Sequence, residues 1–242
     1  VYQLTGRYPT SLFSALKIIG FQQVYGPGSI SQILSISDWI EYMFSGILHY
    51  EHSQASETLL YSVPEKQWSE LLLDIFQLDK KILPPLTDAG SSLGVVRKDI
   101  AEEISISTRA KVIAGGADTQ LAVISTHAGK DDVVIVSGTT TPIIKLTGHY
   151  LTDREQRTWT GRHAIAGYFM FEANAGVTGL NYQRLKKIFY PNEGYDMIEQ
   201  ELGTVKGVEC WAALGSLLAD EKEPLLRGGF IFNVPVNHEI SR

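Results

Sequence analysis

The stretch AKVIAGGADTQLAVISTHAG, from Ala110 to Gly129, constrains the chain more than any other. An apolar run of strand length ends in two glycines, and a helical pattern begins directly behind them. The same order recurs on both sides. LGVV, from Leu93 to Val96, reads as a short strand before the short helix RKDIAEEIS. DDVVIVSGTTTPIIKLTG reads as a strand, a turn and a returning strand. YFMFEA is a further strand and GLNYQRLKKIFY a further helix. Such alternation places the chain in the α/β class. AKVIAGG is expected to be a buried strand, with a helix starting near Asp118.

Upstream the pattern is helical. TSLFSALKIIGFQQVY, from Thr10, puts Leu12, Leu16 and Ile19 on one face and is broken by GPGSIS. SISDWIEYMFSG offers Ser35 or Ser37 as its N-cap and Gly46 as its stop. EKQWSELLLDIFQL reads as a third, amphipathic helix, and the two prolines of KKILPPL end the helical register. With 242 residues the chain can form one large domain or two small ones. The small, charged stretch AGKDD, starting at Ala128, is the best boundary. It separates residues 1–129 from residues 130–242.

Composition removes several function classes. The net charge is -6 and no basic block is present, which argues against a nucleic-acid partner. A phosphate ligand stays open, because backbone N–H groups and helix N-termini hold anions without basic side chains. Cys210 is the single cysteine, so no intrachain disulfide forms, and a reducing, cytoplasmic compartment is expected. No apolar run approaches the roughly 20 residues of a membrane span, and no signal peptide is recognisable. The six histidines are scattered without an H-x-x-x-H pair, so no metal cage is expected. The chain opens at Val1 without Met and ends at Arg242 in an unfinished pattern, so it reads as an internal piece of a longer protein.

Two short motifs carry the chemistry. In GGADTQ, Asp118 follows Gly115 and Gly116 where a strand turns into a helix, and ligands bind in α/β proteins at such strand ends. A carboxylate there can accept a proton from a hydroxyl and orient it, and the glycines would let a ligand approach the backbone. Equally, Asp118 can simply cap the helix. In SGTTT, the residues Ser137, Gly138, Thr139 and Thr140 fall on a turn between two strands. Its N–H and O–H donors suit an anion, and an ordinary polar hairpin turn has the same composition. No Gly-Lys-Ser/Thr follows, so it is not a Walker A loop. Taken together, a carboxylate that activates a hydroxyl and a donor-rich turn that holds phosphates describe phosphoryl transfer.

The order strand, GGADTQ, helix, VVIVSGTTT resembles the middle of the FGGY family of carbohydrate kinases. LTGRYPTSLFSALKI is similar to a family segment with Thr-Gly, Pro and Lys-Leu. SISDWIEYMFSGILHYEHSQASETLLYSV resembles the segment with Asp-Tyr/Trp, Leu-Thr-Gly and Ser-Asn-Ala-Ser. YFMFEANAGVTGLNYQRL and EKEPLLRGGFIFNVPVNHEISR resemble later segments, the second of them before the adenosine-binding helices. The likeness covers nearly the whole chain in order. It implies an actin-like, ribonuclease-H-like two-domain kinase fold, truncated at both ends. Residues 1–129 would then be the C-terminal part of the sugar-binding domain and residues 130–242 the start of the nucleotide-binding domain. It also implies ATP and Mg²⁺, the metal arriving with ATP, and a sugar or polyol as acceptor. A homodimer is one assembly compatible with it.

By this resemblance Asp118 matches the family's catalytic base, and Ser137, Gly138, Thr139 and Thr140 its second phosphate motif, with Gly115 and Gly116 as the supporting turn. Asp118, Thr119, Gln120 and Leu12 are the expected substrate contacts. Glycerol-type members place Gln directly after the aspartate, where Thr119 stands here, and an aromatic residue where Leu12 stands, so glycerol is disfavoured. The family's first phosphate hairpin would precede Val1, and its Gly-rich adenosine site would follow Arg242. The acceptor is not fixed by the sequence: relatives handle pentuloses, hexonates, polyols and autoinducer-2. The competing reading is a non-catalytic sugar-binding or regulatory relative, against which the presence of both Asp118 and SGTT counts.

Overall fold

A computed structural model describes residues 1–205. The readings of Cys210 and of the segment starting at Glu221 lie outside the described residues. The chain forms two compact units. The first comprises Val1–Val134 and Lys145–Phe171, the second Ile135–Ile144 and the stretch from Glu172 onward. Residues 145–171 thus belong to the first unit although they follow Gly129.

The first unit opens with helix α1 (Tyr2–Thr5), closed by Gly6 at a left-handed φ of 66°. Helix α2 (Ser14–Tyr25) starts after an extended Phe13, so the apolar pattern from Thr10 overstates its length. Its buried positions are Ala15 and Ile18, and Leu12 stays outside the helix. Helix α3 (Ile36–Ser45) has the expected ends. Ser35 Oγ accepts the Asp38 N–H at 3.1 Å, and Gly46 is left-handed with φ 75°.

Strand β1 (Tyr50–Glu51), helix α4 (His52–Ala55), strands β2 (Tyr61–Ser62) and β3 (Gln67–Trp68) and helix α5 (Glu70–Phe76) follow. β2 and β3 pair antiparallel with Tyr61 opposite Trp68. This pairing removes Gln67 and Trp68 from the expected third helix, which instead begins behind the Ser69 cap. β4 (Leu86–Thr87) pairs parallel with β1. β5 (Ser92–Val95) and β6 (Lys111–Ile113) pair antiparallel, with helix α6 (Lys98–Glu103) between them in the chain. β6 is not buried as its composition suggests. Among the described residues it lies in a two-stranded ribbon, and Ile113 is 46% exposed.

Helix α7 (Asp118–Ser125) comes next, then strands β7 (Val133–Ile135), β8 (Pro142–Thr147), β9 (Trp159–Arg162) and β10 (Phe169–Asn174). These four strands form a sheet in the order β7-β8-β10-β9. Helices α8 (Thr178–Phe189) and α9 (Tyr195–Leu202) belong to the second unit.

Two apolar clusters hold the first unit together. Phe13, Ala15, Ile18, Leu59, Leu60 and Leu73 belong to one, and Tyr50, Ala55, Tyr61, Val63 and Phe169 make the other. Each fully buried Leu or Ile contributes about 1.5–3 kcal/mol relative to exposure. Arg7 fastens the start of the chain to β9. It is 4% exposed, donates to the Thr160 carbonyl at 2.9 Å, pairs with Glu57, and lies over the rings of Phe13 and Trp159. A buried guanidinium needs such partners to offset its lost hydration.

Candidate active site

Asp118 is the first residue of α7, and the cap position belongs to Ala117, which makes no side-chain cap bond. Its Oδ1 accepts the Thr119 N–H at 2.6 Å and the Thr119 hydroxyl at 3.3 Å. The carboxylate is exposed at the first turn of the helix, where the helix dipole favours negative charge. A carboxylate in this place can accept a proton from a hydroxyl brought within hydrogen-bond reach.

The glycines before it, Gly115 and Gly116, lie against the chain's own side chains. Neither adopts a left-handed φ. A Cβ on Gly115 would lie 3.0 Å from Glu41 Oε1, and one on Gly116 would lie 3.2 Å from Ser53 Oγ and 3.4 Å from Ala164 Cβ. The close approach is made by the chain's own side chains. Glu41 Oε1 accepts the Gly115 N–H at 2.8 Å, and Ser53 Oγ accepts the Ala117 N–H at 2.9 Å. Thr119 is half-buried beside Asp118. Gln120 points inward at 2% exposure, and its Oε1 has no hydrogen-bond partner among the described residues. Leu12 is 43% exposed in the loop before α2, its amide bonded to Thr10 Oγ1 at 3.4 Å.

Ser137, Gly138, Thr139 and Thr140 lie in the second unit, on the turn between β7 and β8. Gly138 N–H donates to the Thr140 carbonyl at 3.2 Å, and Val136 N–H to the Pro142 carbonyl at 2.9 Å. Ser137, Gly138 and Thr139 are exposed. Gly138 is not left-handed; the left-handed residue nearby is Gly176, φ 81°. The start of α8 packs directly on the turn. Leu180 N–H donates to the Thr139 carbonyl at 3.3 Å, Thr141 N–H to the Gly176 carbonyl at 3.1 Å, and the hydroxyls of Thr141 and Thr178 bond each other. Asn174 turns back onto the Gly176 amide at 2.8 Å. The turn thus offers hydroxyl and amide donors and no carboxylate. That set fits phosphate oxygens better than a metal, which asks for anionic or carbonyl oxygens.

Sequence reasoning missed the side chains that support the Asp118 turn. Glu51 caps α4 and accepts from the Ser53 amide at 2.8 Å and from the Gln54 amide at 3.1 Å. Burial pushes its carboxyl up, with the Ser53 hydroxyl and amide opposing. Asp38 is 1% exposed and bonds the Glu51 amide at 3.2 Å. Asp88 pairs with Lys66 at 2.6 Å, and that bond lowers its pKa. His52 is buried with Nδ1 2.8 Å from the Tyr61 hydroxyl. Burial above all, with Lys66 adding to it, lowers His52 to about 4, so it is neutral near pH 7.

Asp38, Glu41 and His49 form a group, among the described residues, whose ligand atoms lie within 4.8 Å of one another. Protons already account for that spacing. His49 Nδ1 faces the Ile47 carbonyl at 3.2 Å, and Nε2 faces Glu41 Oε2 at 2.8 Å and Asp38 Oδ1 at 3.3 Å. A groove of about 650 Å³ in the first unit, lined by Ile47, Leu86, Asp88, Ser91 and Leu93 among others, contains none of the expected site residues.

Residues 1–125 match the model of the N-terminal domain of the FGGY family of carbohydrate kinases. The chain belongs to that family. It is 50% identical over 246 residues to YoaC of Bacillus subtilis (strain 168), by its name a candidate sugar kinase, covering 100% of this chain and 50% of that protein. It is 31% identical over 175 residues to the autoinducer-2 kinase of Escherichia coli (strain K12), covering 72% of this chain and 32% of the relative. The chain thus spans half the length of the first of these relatives and less of the second. Among solved structures, xylulose kinase from Rhodospirillum rubrum superposes with a TM-score of 0.82 at 18% identity, over 98% of this chain and 49% of that one. Plasmodium falciparum glycerol kinase with ADP gives 0.81 at 19% identity, over 98% and 49%. The FGGY chain accordingly has the actin-like, ribonuclease-H-like α/β fold. Among the described residues no helix is long and apolar enough to cross a membrane.

Proposed function

We propose that the protein containing this chain is an ATP-dependent carbohydrate kinase that moves the γ-phosphoryl group of ATP to a hydroxyl of a sugar or polyol. The observation that carries the proposal is the exposed Asp118 carboxylate, anchored at the start of α7 by a turn whose amides are held by Glu41 and Ser53. Asp118 takes the proton of the acceptor hydroxyl as its oxygen bonds to phosphorus and the bond to ADP breaks. Thr119, Gln120 and Leu12 belong to the same proposal as substrate-side residues. Ser137, Gly138, Thr139 and Thr140 bind phosphate oxygens, and Mg²⁺ comes with ATP. Phosphoryl transfer of this kind needs positioning and charge stabilisation more than covalent help.

Residues 1–129 are proposed as sugar-binding domain and residues 130–242 as the start of the nucleotide-binding domain, with 145–171 packed into the first unit. A cytoplasmic location, the absence of nucleic-acid and membrane partners, and a homodimer complete the proposal. The names of the relatives suggest a panel of xylulose, gluconate, glycerol and autoinducer-2.

The test uses the whole protein. A thermal-shift screen finds the acceptor, since a ligand at 100 times its Kd stabilises by about 2.7 kcal/mol. Acceptor-dependent ADP release is then compared with that of Asp118→Asn, which is expected to lose about 10²–10⁴ in rate. Near-normal turnover in Asp118→Asn overturns the base assignment. Acceptor binding without any ADP release in the native protein points instead to the non-catalytic relative.

A further inference from the structure

The amides of Gly115 and Ala117 flank the turn before Asp118, and they are held from two sides by arms that meet. Gly115 N–H donates to Glu41 Oε1 at 2.8 Å, and Glu41 Oε2 pairs with His49 Nε2 at 2.8 Å. His49 Nε2 lies 3.3 Å from Asp38 Oδ1, which also accepts the Glu51 amide at 3.2 Å. Glu51 Oε2 accepts from the Ser53 hydroxyl, and Ser53 Oγ accepts the Ala117 N–H at 2.9 Å. The circuit runs from one side of the turn through α3, His49, β1 and the start of α4, and back to the other side.

His49 closes this circuit only as a cation. The Ile47 carbonyl can only accept, so Nδ1 must donate to it. Nε2 faces two carboxylates and must donate as well. Burial alone would lower the pKa of the ring. The Asp38 bond, the Ile47 carbonyl and Glu41 outweigh it and raise it to about 9. His49 and Asp38 are each 1% exposed, so neither charge is compensated by water.

We propose that Glu41 and His49 are positioning residues for the Asp118 turn, with the His49 ring bridging Glu41 and Asp38 so that both flanking amides are held at once. This rests on the reading of Asp118 as the base. A general base acts only within hydrogen-bond reach, and a misplacement of about 1 Å can cost roughly 10²-fold in rate. Neither Glu41 nor His49 needs to touch substrate to have this effect.

The experiment compares native whole protein with His49→Gln, Glu41→Gln and Asp118→Asn. It reads kcat, the KM for ATP, and amide hydrogen exchange at Gly115 and Ala117, with the core amides of Leu60 and Leu72 as controls for the fold. In His49→Gln, exchange at both turn amides is expected to rise at least about ten-fold and kcat to fall at least about ten-fold, with the KM for ATP within about two-fold. Glu41→Gln keeps an acceptor for Gly115 but loses the ion pair, so its losses should be smaller. Unchanged exchange at Gly115 and Ala117 overturns the proposal whatever kcat does. Faster exchange with native kcat also overturns it. Native turnover in Asp118→Asn overturns the base assignment instead, and the exchange data then still decide whether the circuit holds the turn. If His49→Gln does not fold, the ring ¹⁵N shifts of the native protein decide. Two protonated nitrogens are expected near neutral pH, and a neutral tautomer overturns the proposal.

Discussion

Gly179 is where the phosphate turn and helix α8 come closest, and it gives a sharp test of how much the turn depends on its support. A Cβ at this position would lie 2.9 Å from the Gly138 carbonyl carbon, still closer to its oxygen, and 3.3 Å from the Thr139 nitrogen. These are backbone atoms, so no side chain can swing aside. Reaching an ordinary contact requires the turn or the helix to recede by roughly 1 Å. In Gly179→Ala the helix gains about 0.5–1 kcal/mol from the better helix former, because Gly179 lies inside α8 without a left-handed φ. Overpacking of this kind costs about 1–3 kcal/mol. The net effect on stability should be a loss of about 0–2.5 kcal/mol, the difference of those two ranges. The functional effect should be larger and one-sided. A displacement of about 1 Å moves the Thr139 and Thr140 donors away from the phosphates, and about ten-fold or more in kcat/KM for ATP should be lost. Affinity for the acceptor sugar should stay native. The assay is steady-state kinetics of the whole protein with ATP and acceptor varied in turn, alongside urea unfolding. Native kcat/KM for ATP in a folded Gly179→Ala protein would refute the assignment of this turn to the phosphates.

Thr139→Val should raise the KM for ATP by about three- to ten-fold, the value of one hydrogen bond, and leave acceptor binding unchanged; varying ATP at saturating acceptor checks it. Glycerol should be phosphorylated at least about 100-fold less efficiently than the best acceptor in the panel, since Leu12 and Thr119 leave a small polyol short of partners, and a comparison of kcat/KM values decides. Stability should pass through a maximum near neutrality. His49, raised to about 9 in the folded state, binds more protons folded than unfolded, so its contribution is full below about 6.5 and is lost as pH rises through 9. His52, lowered to about 4, works the other way, and its contribution is lost as pH falls from about 6.5 toward 4. Urea midpoints of His49→Gln and His52→Gln should flatten the alkaline and the acid limb respectively.

Local signals were readable where the chain decides its own conformation. Ser35 and Gly46 bound α3 as their types require, and Gly115 and Gly116 mark the turn from β6 to α7. What escaped was set by partners distant in sequence. The start of α5 moved because Trp68 pairs across a ribbon with Tyr61, a choice that helical periodicity cannot see. The glycine pair reads as a close approach to the backbone, but the side chains that hold the turn, Glu41 and Ser53, lie 74 and 64 residues before the amides they accept. The contacts of Glu51 and Asp38 exist only once α3, β1 and α4 are folded together, so the sequence gives no sign of them. Ile113 reads as core from its neighbours in sequence, and its exposure follows from strand pairing.

The fastening of the chain's start to β9 bears on synthesis as well as on stability. Tyr2 Oη donates to the Thr158 carbonyl and Arg7 to the Thr160 carbonyl, across separations of 156 and 153 residues. At about 5–20 residues per second a ribosome needs on the order of 10–30 s to make that intervening length. Through that interval Arg7, Phe13 and their neighbours have been made while Trp159 and Thr160 have not. A nascent segment in this state presents an unmatched guanidinium and an aromatic ring together, a surface on which chaperones can act. Slowing translation between residues 13 and 159 should therefore lower the yield of native protein more than the same delay placed after residue 171.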